Sequence, residues 1–200
     1  RKRVLGAEHP DTLTSVDNLA STYLKQGRWK VAEELFVRVI DVRKRVLGAE
    51  HPDTLTSVDN LASTYLKQGR WKEAEELFVR VIDVRKRVLG PEHPDTLTSV
   101  DNLASTYLNQ GQWKEAEELF VRVIDMRKRV LGAEHPDTLT SMGNLASTYC
   151  TQGQWKKAEE LFVQVTKTKK MVLGAEHPDT LTSMSNLRSE ERRVGKECPR

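Results

Sequence analysis

Apolar residues recur along this chain at the three- and four-residue spacing of an amphipathic helix. In the first such stretch they are Val16, Leu19, Ala20, Tyr23 and Leu24. Positions spaced in this way lie on one face of a helix. Pro10 suits the first helical turn, and Gly27 can take the left-handed conformation that ends a helix. The pattern therefore predicts a helix over residues 11–26, called helix A below.

A second apolar series starts just after Gly27 and predicts a longer helix. Its members are Trp29, Ala32, Leu35, Phe36, Val39, Ile40, Val46 and Leu47. Gly48 and Pro52 then stop the pattern. At the standard rise this segment, called helix B, makes about five turns. On its polar face Glu34 lies four residues before Arg38, an order that stabilises a solvated helix.

The two-helix pattern repeats along the chain with a constant period. The pentad Glu-His-Pro-Asp-Thr places a histidine at steps of 42 residues, at His9, His51, His93, His135 and His177. The full units are 1–42, 43–84, 85–126 and 127–168, and a partial unit covers 169–187. The first two units differ at one position, where Val31 corresponds to Glu73. One hairpin cannot bury both of its apolar stripes, so the copies are expected to stack into an all-α solenoid.

Six spaced residues of the unit resemble the consensus of the tetratricopeptide repeat. They are Leu19, Ala20, Tyr23, Gly27, Ala32 and Phe36. The 42-residue length, the His-Pro-Asp opening and the Asn-Leu-Ala triplet resemble the variant found in kinesin light chains and in the arrays of some fungal and bacterial signalling ATPases. The resemblance covers residues 1–187. It implies a right-handed α-solenoid of antiparallel helix pairs, with the A helices lining a concave groove.

The same resemblance implies a non-catalytic scaffold that binds a protein or peptide segment in that groove. The groove-facing residues would be Asn18, Asn60, Asn102, Asn144, Asp17, Asp59, Asp101, Ser21, Ser63, Ser105, Lys25, Lys67 and Asn109. The asparagines are the leading candidates, because a primary amide both donates to and accepts from a peptide backbone. The alternative is an intramolecular sensor or regulatory segment of a larger signalling protein.

Differences between the units give a weaker indication of the same surface. The differences within helix A include three sets of equivalent positions: Asp101, Gly143 and Ser185; Leu108 and Cys150; and Lys67, Asn109 and Thr151. Two of these three sets belong to the expected groove. The variation therefore hints that the units are diversified for binding.

Composition and charge argue against other classes of partner. The chain has 32 lysines and arginines against 29 aspartates and glutamates, a net charge of +3. This balance indicates no global attraction to nucleic acid or to a membrane surface, and no apolar run approaches the roughly 20 residues of a bilayer span. With two cysteines in no metal-ligand spacing, a cytoplasmic protein without a cofactor or a metal is expected.

Several repeated residue types have a functional and a structural interpretation. The histidines are a full unit apart, so His-Pro-Asp is expected to start helices and not to bind metal. The tryptophans, a conceivable stacking platform for bases, are expected to pack against the neighbouring helix. The basic triplets that begin at Arg43, Arg85 and Arg127 are expected to be a solvated face, although phosphate binding is the alternative. Cys150 replaces a leucine, and no nucleophile has a base and an orienting group beside it, so catalysis is not expected.

The two ends of the chain carry separate expectations. Residues 188–200 leave the repeat abruptly and resemble the translation of a sequencing adapter, so this tail is expected to be foreign sequence. Neither end carries a polar capping unit, which solenoids normally need for solubility. Either frayed terminal hairpins or end-to-end self-association is therefore expected.

Overall fold

A computed structural model describes residues 6–185 and residue 187, and all regular secondary structure in these residues is helical. The helices are α1 Pro10–Lys25, α2 Trp29–Val46, α3 Pro52–Lys67, α4 Trp71–Val88, α5 Pro94–Asn109, α6 Trp113–Val130, α7 Pro136–Thr151 and α8 Trp155–Leu173. A further helical stretch covers residues 178–185. The odd-numbered helices are the predicted A helices and the even-numbered ones the B helices. The predicted foreign tail, residues 188–200, lies outside the described residues.

Each histidine of the repeated pentad caps the start of an A helix. The His9 Nδ1 atom accepts a hydrogen bond from the backbone N–H of Asp11 over 3.2 Å. The same 3.2 Å bond recurs at His51, His93, His135 and His177. A capped backbone N–H needs no other partner at the open end of a helix. The prediction that His-Pro-Asp starts helices is confirmed.

Tight turns join the two helices of each unit. Gly27 has a φ of 76°, in the left-handed region that only glycine enters without strain. Helix α1 ends two residues before Gly27, and α2 begins two residues after it. The turn thereby brings α1 and α2 together as an antiparallel pair, and the predicted helix boundaries hold within about two residues.

The chain divides into two compact units, Arg1–Thr106 and Tyr107–Arg200. In the first unit, α1 packs on α2, α2 on α3, and α3 on α4; in the second, α6 packs on α7 and α7 on α8. The core of the first hairpin contains Ala20 and Phe36, which are both fully buried. Small residues such as Ala20 let the helices approach closely, and each buried phenylalanine contributes about 1.5–3 kcal/mol.

A leucine of the next A helix completes the core of each hairpin. Leu61 from α3 packs into the cluster of Ala20 and Phe36 and is 7% exposed. In the second compact unit, Leu187 packs in the same way against the cluster that contains Phe162. Leu19, the equivalent residue of the first hairpin, is 46% exposed. Consecutive hairpins therefore share their hydrophobic core, as predicted for a stacked array.

Candidate functional site

The predicted binding residues all lie on A helices, but the structure separates them by exposure. Three sets of side chains are exposed or half-buried: Asn18, Asn60, Asn102 and Asn144; Ser21, Ser63 and Ser105; and Lys25, Lys67 and Asn109. The three aspartates of the set are different, since Asp17, Asp59 and Asp101 are each only 7% exposed. The aspartates therefore have another task, which their contacts identify.

Asp17 belongs to a buried polar network that joins the first two repeat units. Its Oδ1 atom accepts a 2.6 Å hydrogen bond from the Ser57 hydroxyl and lies 3.4 Å from Nη1 of Arg43. The same Arg43 nitrogen donates to Ser57 Oγ over 2.6 Å and to the Asp53 carbonyl over 2.9 Å. The Arg43 Nη2 atom donates to Thr14 over 3.2 Å. The Arg43 guanidinium on α2 thus links α1, the A helix of its own hairpin, to α3, the A helix of the next hairpin.

The network recurs one repeat further along. Asp59 accepts a 2.7 Å hydrogen bond from Ser99 and lies 3.7 Å from Nη1 of Arg85. Arg85 donates to Ser99 over 2.6 Å, as Arg43 does to Ser57. Burial raises the pKa of the Asp59 carboxyl, although Arg85 and hydrogen bonds from Ser99 and Asn102 act in the opposite direction. The cost of burying this carboxylate therefore outweighs the attraction of its partners, as is common for buried ion pairs.

Two expectations from the sequence are corrected by this network. Asp17, Asp59 and Asp101 were expected to face a partner, but their carboxylates are buried. Arg43, Arg85 and Arg127 were expected to form part of a solvated basic face, but they are only 3–4% exposed. Helical spacing places Arg43 within the apolar series of helix B, four residues after Val39, and Asp17 at the edge of the apolar stripe of helix A, three residues before Ala20. The spacing could not show that the two side chains meet inside the stack.

Each asparagine of the second and third units is held by the aspartate of the preceding unit. The Asn60 Nδ2 atom donates to Asp17 Oδ2 over 3.3 Å, and Asn102 Nδ2 donates to Asp59 Oδ2 over 3.3 Å. Asn60 and Asn102 are half-buried. Their amides are therefore oriented by the core of the array while part of each side chain remains at the surface.

The rest of each basic triplet is also partly neutralised. Arg45 forms a 2.7 Å ion pair with Glu8, and Arg87 pairs with Glu50 in the same way one repeat later. With the first arginine of the triplet buried and the last one paired, Lys44 and its equivalent Lys86 are left as exposed basic residues without an ion pair among the described residues. A continuous track of positive charge for phosphates is absent from this face of the first compact unit.

The tryptophans and Cys150 were the other candidate residues of the sequence, and the structure shows how far each is buried. Trp29 and Trp71 are each 40% exposed, and Trp155 packs against the core cluster around Phe162, so the tryptophans are partly packed and partly at the surface. Cys150 is 8% exposed and belongs to the core cluster around Phe162. In the described part of the chain, His, Cys, Asp and Glu side chains form no group of three suited to a metal ion. None of the helices described combines the length and apolar character that crossing a bilayer requires.

Antiparallel helix pairs, repeated every 42 residues and sharing their cores, define an all-α helical-repeat protein. The chain belongs to the tetratricopeptide repeat family, whose model matches residues 1–45, 13–87, 54–128 and 99–171. Repeats of this family generally mediate protein–protein interaction, and scaffolds of this kind are generally non-catalytic. The predicted family and the predicted all-α fold class are confirmed.

Solved structures carry the same kind of array. The crystal structure of a putative kinesin light chain from Podosopora anserina, with nearly identical TPR-like repeats, is 36% identical, with a TM-score of 0.75 over 94% of this chain and 89% of that one. A second crystal structure of that protein gives a TM-score of 0.76. The structure of BtubC (BKLC) from P. vanneervenii, at 18% identity, shows the same fold with a TM-score of 0.77 over 92% of this chain and 74% of that one. Among curated proteins, no sequence matches the chain significantly. The resemblance to kinesin light chain repeats is thus confirmed.

Proposed function

We propose that the array holds a segment of a protein partner along its A helices, with Asn60 and Asn102 contacting the partner's backbone. The observation that supports this most is the bond from each amide to the buried aspartate of the preceding unit, 3.3 Å long in both cases. One N–H of Asn60 is used by Asp17, and its amide oxygen has no hydrogen bond to any described residue. The other N–H and the oxygen suit a peptide group, which needs one acceptor and one donor.

The aspartates act in this proposal as positioning residues. A side chain fixed before binding loses less conformational entropy when it meets a partner, so the fixed amide binds more tightly than a mobile one. Asp17 is itself fixed by Ser57 and Arg43. The buried network and the surface amide thus form one unit, and the network sets the spacing between successive amides.

Because the aspartates are buried, they contribute little to the charge of the exposed surface. Asp17 and Asp59 are neutralised inside the stack by Arg43 and Arg85. The charged members of the predicted set that stay exposed are Lys25 and Lys67. We therefore expect these lysines, and not the aspartates, to select among partner segments by charge. Among the sets of positions that vary between units, that of Lys67, Asn109 and Thr151 is exposed throughout, whereas Asp101 is buried and its equivalent Gly143 is half-buried.

The proposal is tested by capturing proteins from a cell lysate on the immobilised array and identifying them by mass spectrometry. The variant Asn60→Ala/Asn102→Ala is compared with the wild type and with Glu34→Ala, which changes an exposed residue of α2. We expect the double variant to lose the captured proteins while its thermal unfolding and the capture by Glu34→Ala stay unchanged. Undiminished capture by the double variant would contradict the proposal. If the wild type captures nothing, the intramolecular regulatory role is favoured.

The positioning role has its own test. Asp17→Asn keeps the shape of the side chain and can still accept from Ser57, but it no longer offers two carboxylate oxygens to its donors. We expect weaker capture from Asp17→Asn, and loss of the nuclear magnetic resonance signature of a hydrogen-bonded Asn60 amide. An unchanged Asn60 amide signal combined with weaker capture would mean that Asp17 acts through the stability of the array alone.

A further inference from the structure

His51 and Arg43 hold the first turn of α3 from two sides. The Nδ1 atom of His51 accepts a 3.2 Å hydrogen bond from the backbone N–H of Asp53. The carbonyl of the same residue accepts a 2.9 Å hydrogen bond from Nη1 of Arg43. Asp53 therefore connects a histidine at the surface to the buried network through its own backbone.

From Arg43 the contacts continue to the surface amide. Its Nη1 atom lies 3.4 Å from Oδ1 of Asp17, and Oδ2 of Asp17 accepts from Asn60 over 3.3 Å. The same series of contacts is present one repeat later, in His93, Asp95, Arg85, Asp59 and Asn102. In both repeats the cap at the start of an A helix is thus joined, group by group, to the asparagine of the same helix.

The cap on α3 requires a neutral imidazole. Nδ1 accepts a hydrogen bond only while it carries no proton, because both ring nitrogens of a protonated histidine are donors. Histidine is the side chain that changes charge between pH 5 and 8. The His51 side chain is 39% exposed, so a proton reaches it without unfolding of the helix. A protonated His51 cannot accept from Asp53, and the first turn then loses its cap.

The charged groups around His51 give its protonated ring another partner. One of them is the Asp53 carboxylate, whose Oδ2 atom lies 4.0 Å from Nδ1. Glu50 is already paired with Arg87 of α4, and Arg43 of α2 is directed at the Asp53 carbonyl. The positive end of the helix dipole disfavours a cation in the capping position. Protonation should therefore turn the ring from the backbone N–H towards the Asp53 side chain.

Buried contacts confine this change to the first turn of the helix. Thr54 is fully buried and donates to the Gly48 carbonyl over 2.9 Å. The helix is anchored from this residue onwards, so protonation releases only the residues before it. Since the Asp53 carbonyl is among the released groups, the Arg43 guanidinium that also holds Asp17 loses a fixed acceptor.

We propose that His51 and His93 make the array sensitive to pH. Protonation of each histidine uncaps its A helix and, through the buried arginine and aspartate, shifts the asparagine amide at the surface. The response falls in the range in which histidine titrates. It goes beyond the binding role proposed for the asparagines, since it concerns the array without a partner. The surface that carries Asn60 and Asn102 then differs between neutral and mildly acidic solution.

The test follows the His51 imidazole, the Asp53 backbone amide and the Asn60 side-chain amide of the complete chain by nuclear magnetic resonance, between about pH 7.5 and about pH 5.5. We expect both amide signals to move with the titration of His51. The protection of the Asp53 amide from hydrogen exchange, corrected for the intrinsic effect of pH, should fall about fivefold, the equivalent of one helix cap. His51→Asn supplies a capping side chain that does not titrate, so both amide signals should stay in place in this variant.

His93→Asn is the matched control, because it makes the same change one repeat later. It should suppress the response of Asp95 and Asn102 and leave that of Asp53 and Asn60 intact. If thermal unfolding shows that the variant at the earlier histidine does not fold, the Asp95 and Asn102 signals of His93→Asn make the same comparison.

Three outcomes would contradict the proposal. Titration of His51 without a change at Asp53 would exclude the uncapping. An equal response of Asp53 in His51→Asn would show that another group is titrating. A response of Asp53 with a stationary Asn60 signal would overturn the connection between the cap and the surface.

Discussion

Asp17 and Arg43 form an ion pair 3.4 Å long whose side chains are 10% and 5% exposed, and the pair joins the two helices of one hairpin at the point where the next hairpin packs. Asp59 and Arg85 repeat the arrangement one unit later. Buried pairs of this kind contribute little net stability, because the desolvation of both charges offsets their attraction. We expect their effect to be on specificity, since a shifted stacking of the units would leave both charges buried without partners.

Removing one member of the pair should therefore be far more costly than removing both. We expect Arg43→Met to destabilise the protein by about 3–5 kcal/mol, because Asp17 then keeps a buried charge without its guanidinium. The double variant Arg43→Met/Asp17→Leu should recover much of that loss. Urea denaturation of the single and double variants measures both, and losses that simply add in the double variant would contradict the coupling.

The hairpins, their boundaries and the core residues could be predicted from the sequence, because each depends on local patterns. Val16 to Leu24 gives the A-helix face, and Gly27 gives its end. The exposure of Asp17 could not be predicted in this way. The periodic pattern places Asp17 at the edge of the apolar stripe of its own helix, three residues before Ala20, and its burial depends on how the next unit approaches.

A signal for the buried network was nevertheless present in the repeats. Asp17 and Arg43 have the equivalents Asp59 and Arg85, whereas both members are replaced at the next-but-one step, by Gly143 in the fourth unit and Lys169 at the start of the partial unit. The joint loss of two residues 26 positions apart indicates contact between them. The exposure of Trp29 had no such signal, because a tryptophan at the start of a helix is compatible with both packing and exposure.

The fourth unit offers a test of the network by gain of stability. A Cβ atom at Gly143 would meet no atom within 4 Å, so the backbone there leaves room for a side chain to start. We expect Gly143→Asp/Lys169→Arg to be more stable than the sum of the two single variants by at least about 0.5 kcal/mol. Gly143→Ala controls for helix propensity, which is worth roughly 1 kcal/mol by itself. Strictly additive single effects, measured by urea denaturation, would show that the pair does not form in this unit.

The acid sensitivity of the protein should depend on Arg70. Despite the opposing effect of burial, hydrogen bonds from Gln68 and Arg70 lower the pKa of Glu33, and hydrogen bonding to Arg70 lowers that of Glu73, in both cases from 4.5. A lowered pKa in the folded state stabilises the protein above the unfolded value, and this contribution is lost as the pH falls through the folded pKa. We therefore expect Arg70→Gln to have a lower free energy of unfolding than the wild type at neutral pH. Between neutral pH and about pH 3.5, the free energy of unfolding should fall less for Arg70→Gln than for the wild type.

The comparison for this prediction is Arg28→Gln, which makes the same chemical change in the first unit. Arg28 has no carboxylate partner among the described residues, so its replacement should leave the pH dependence of unfolding unchanged. Burial raises the pKa of Asp59, but its contribution to the pH dependence of unfolding is the same in both variants and cancels from the comparison. Parallel pH profiles for the wild type and Arg70→Gln, from thermal unfolding, would refute the assignment.

Self-association, expected from the sequence, should depend on the exposed face of the first hairpin. Leu19 is 46% exposed and borders a cavity of about 500 Å³ that Val16 and Val39 also line, whereas its equivalent Leu61 is 7% exposed beneath the preceding hairpin. A second molecule that supplies apolar side chains would bury this surface, which a lysine disfavours. We expect Leu19→Lys to reduce the concentration-dependent rise in mass seen by light scattering, and Val37→Lys, on an exposed valine outside the cavity, to leave it unchanged. Equal effects of the two variants, or a wild type that is monomeric throughout, would exclude association through Leu19.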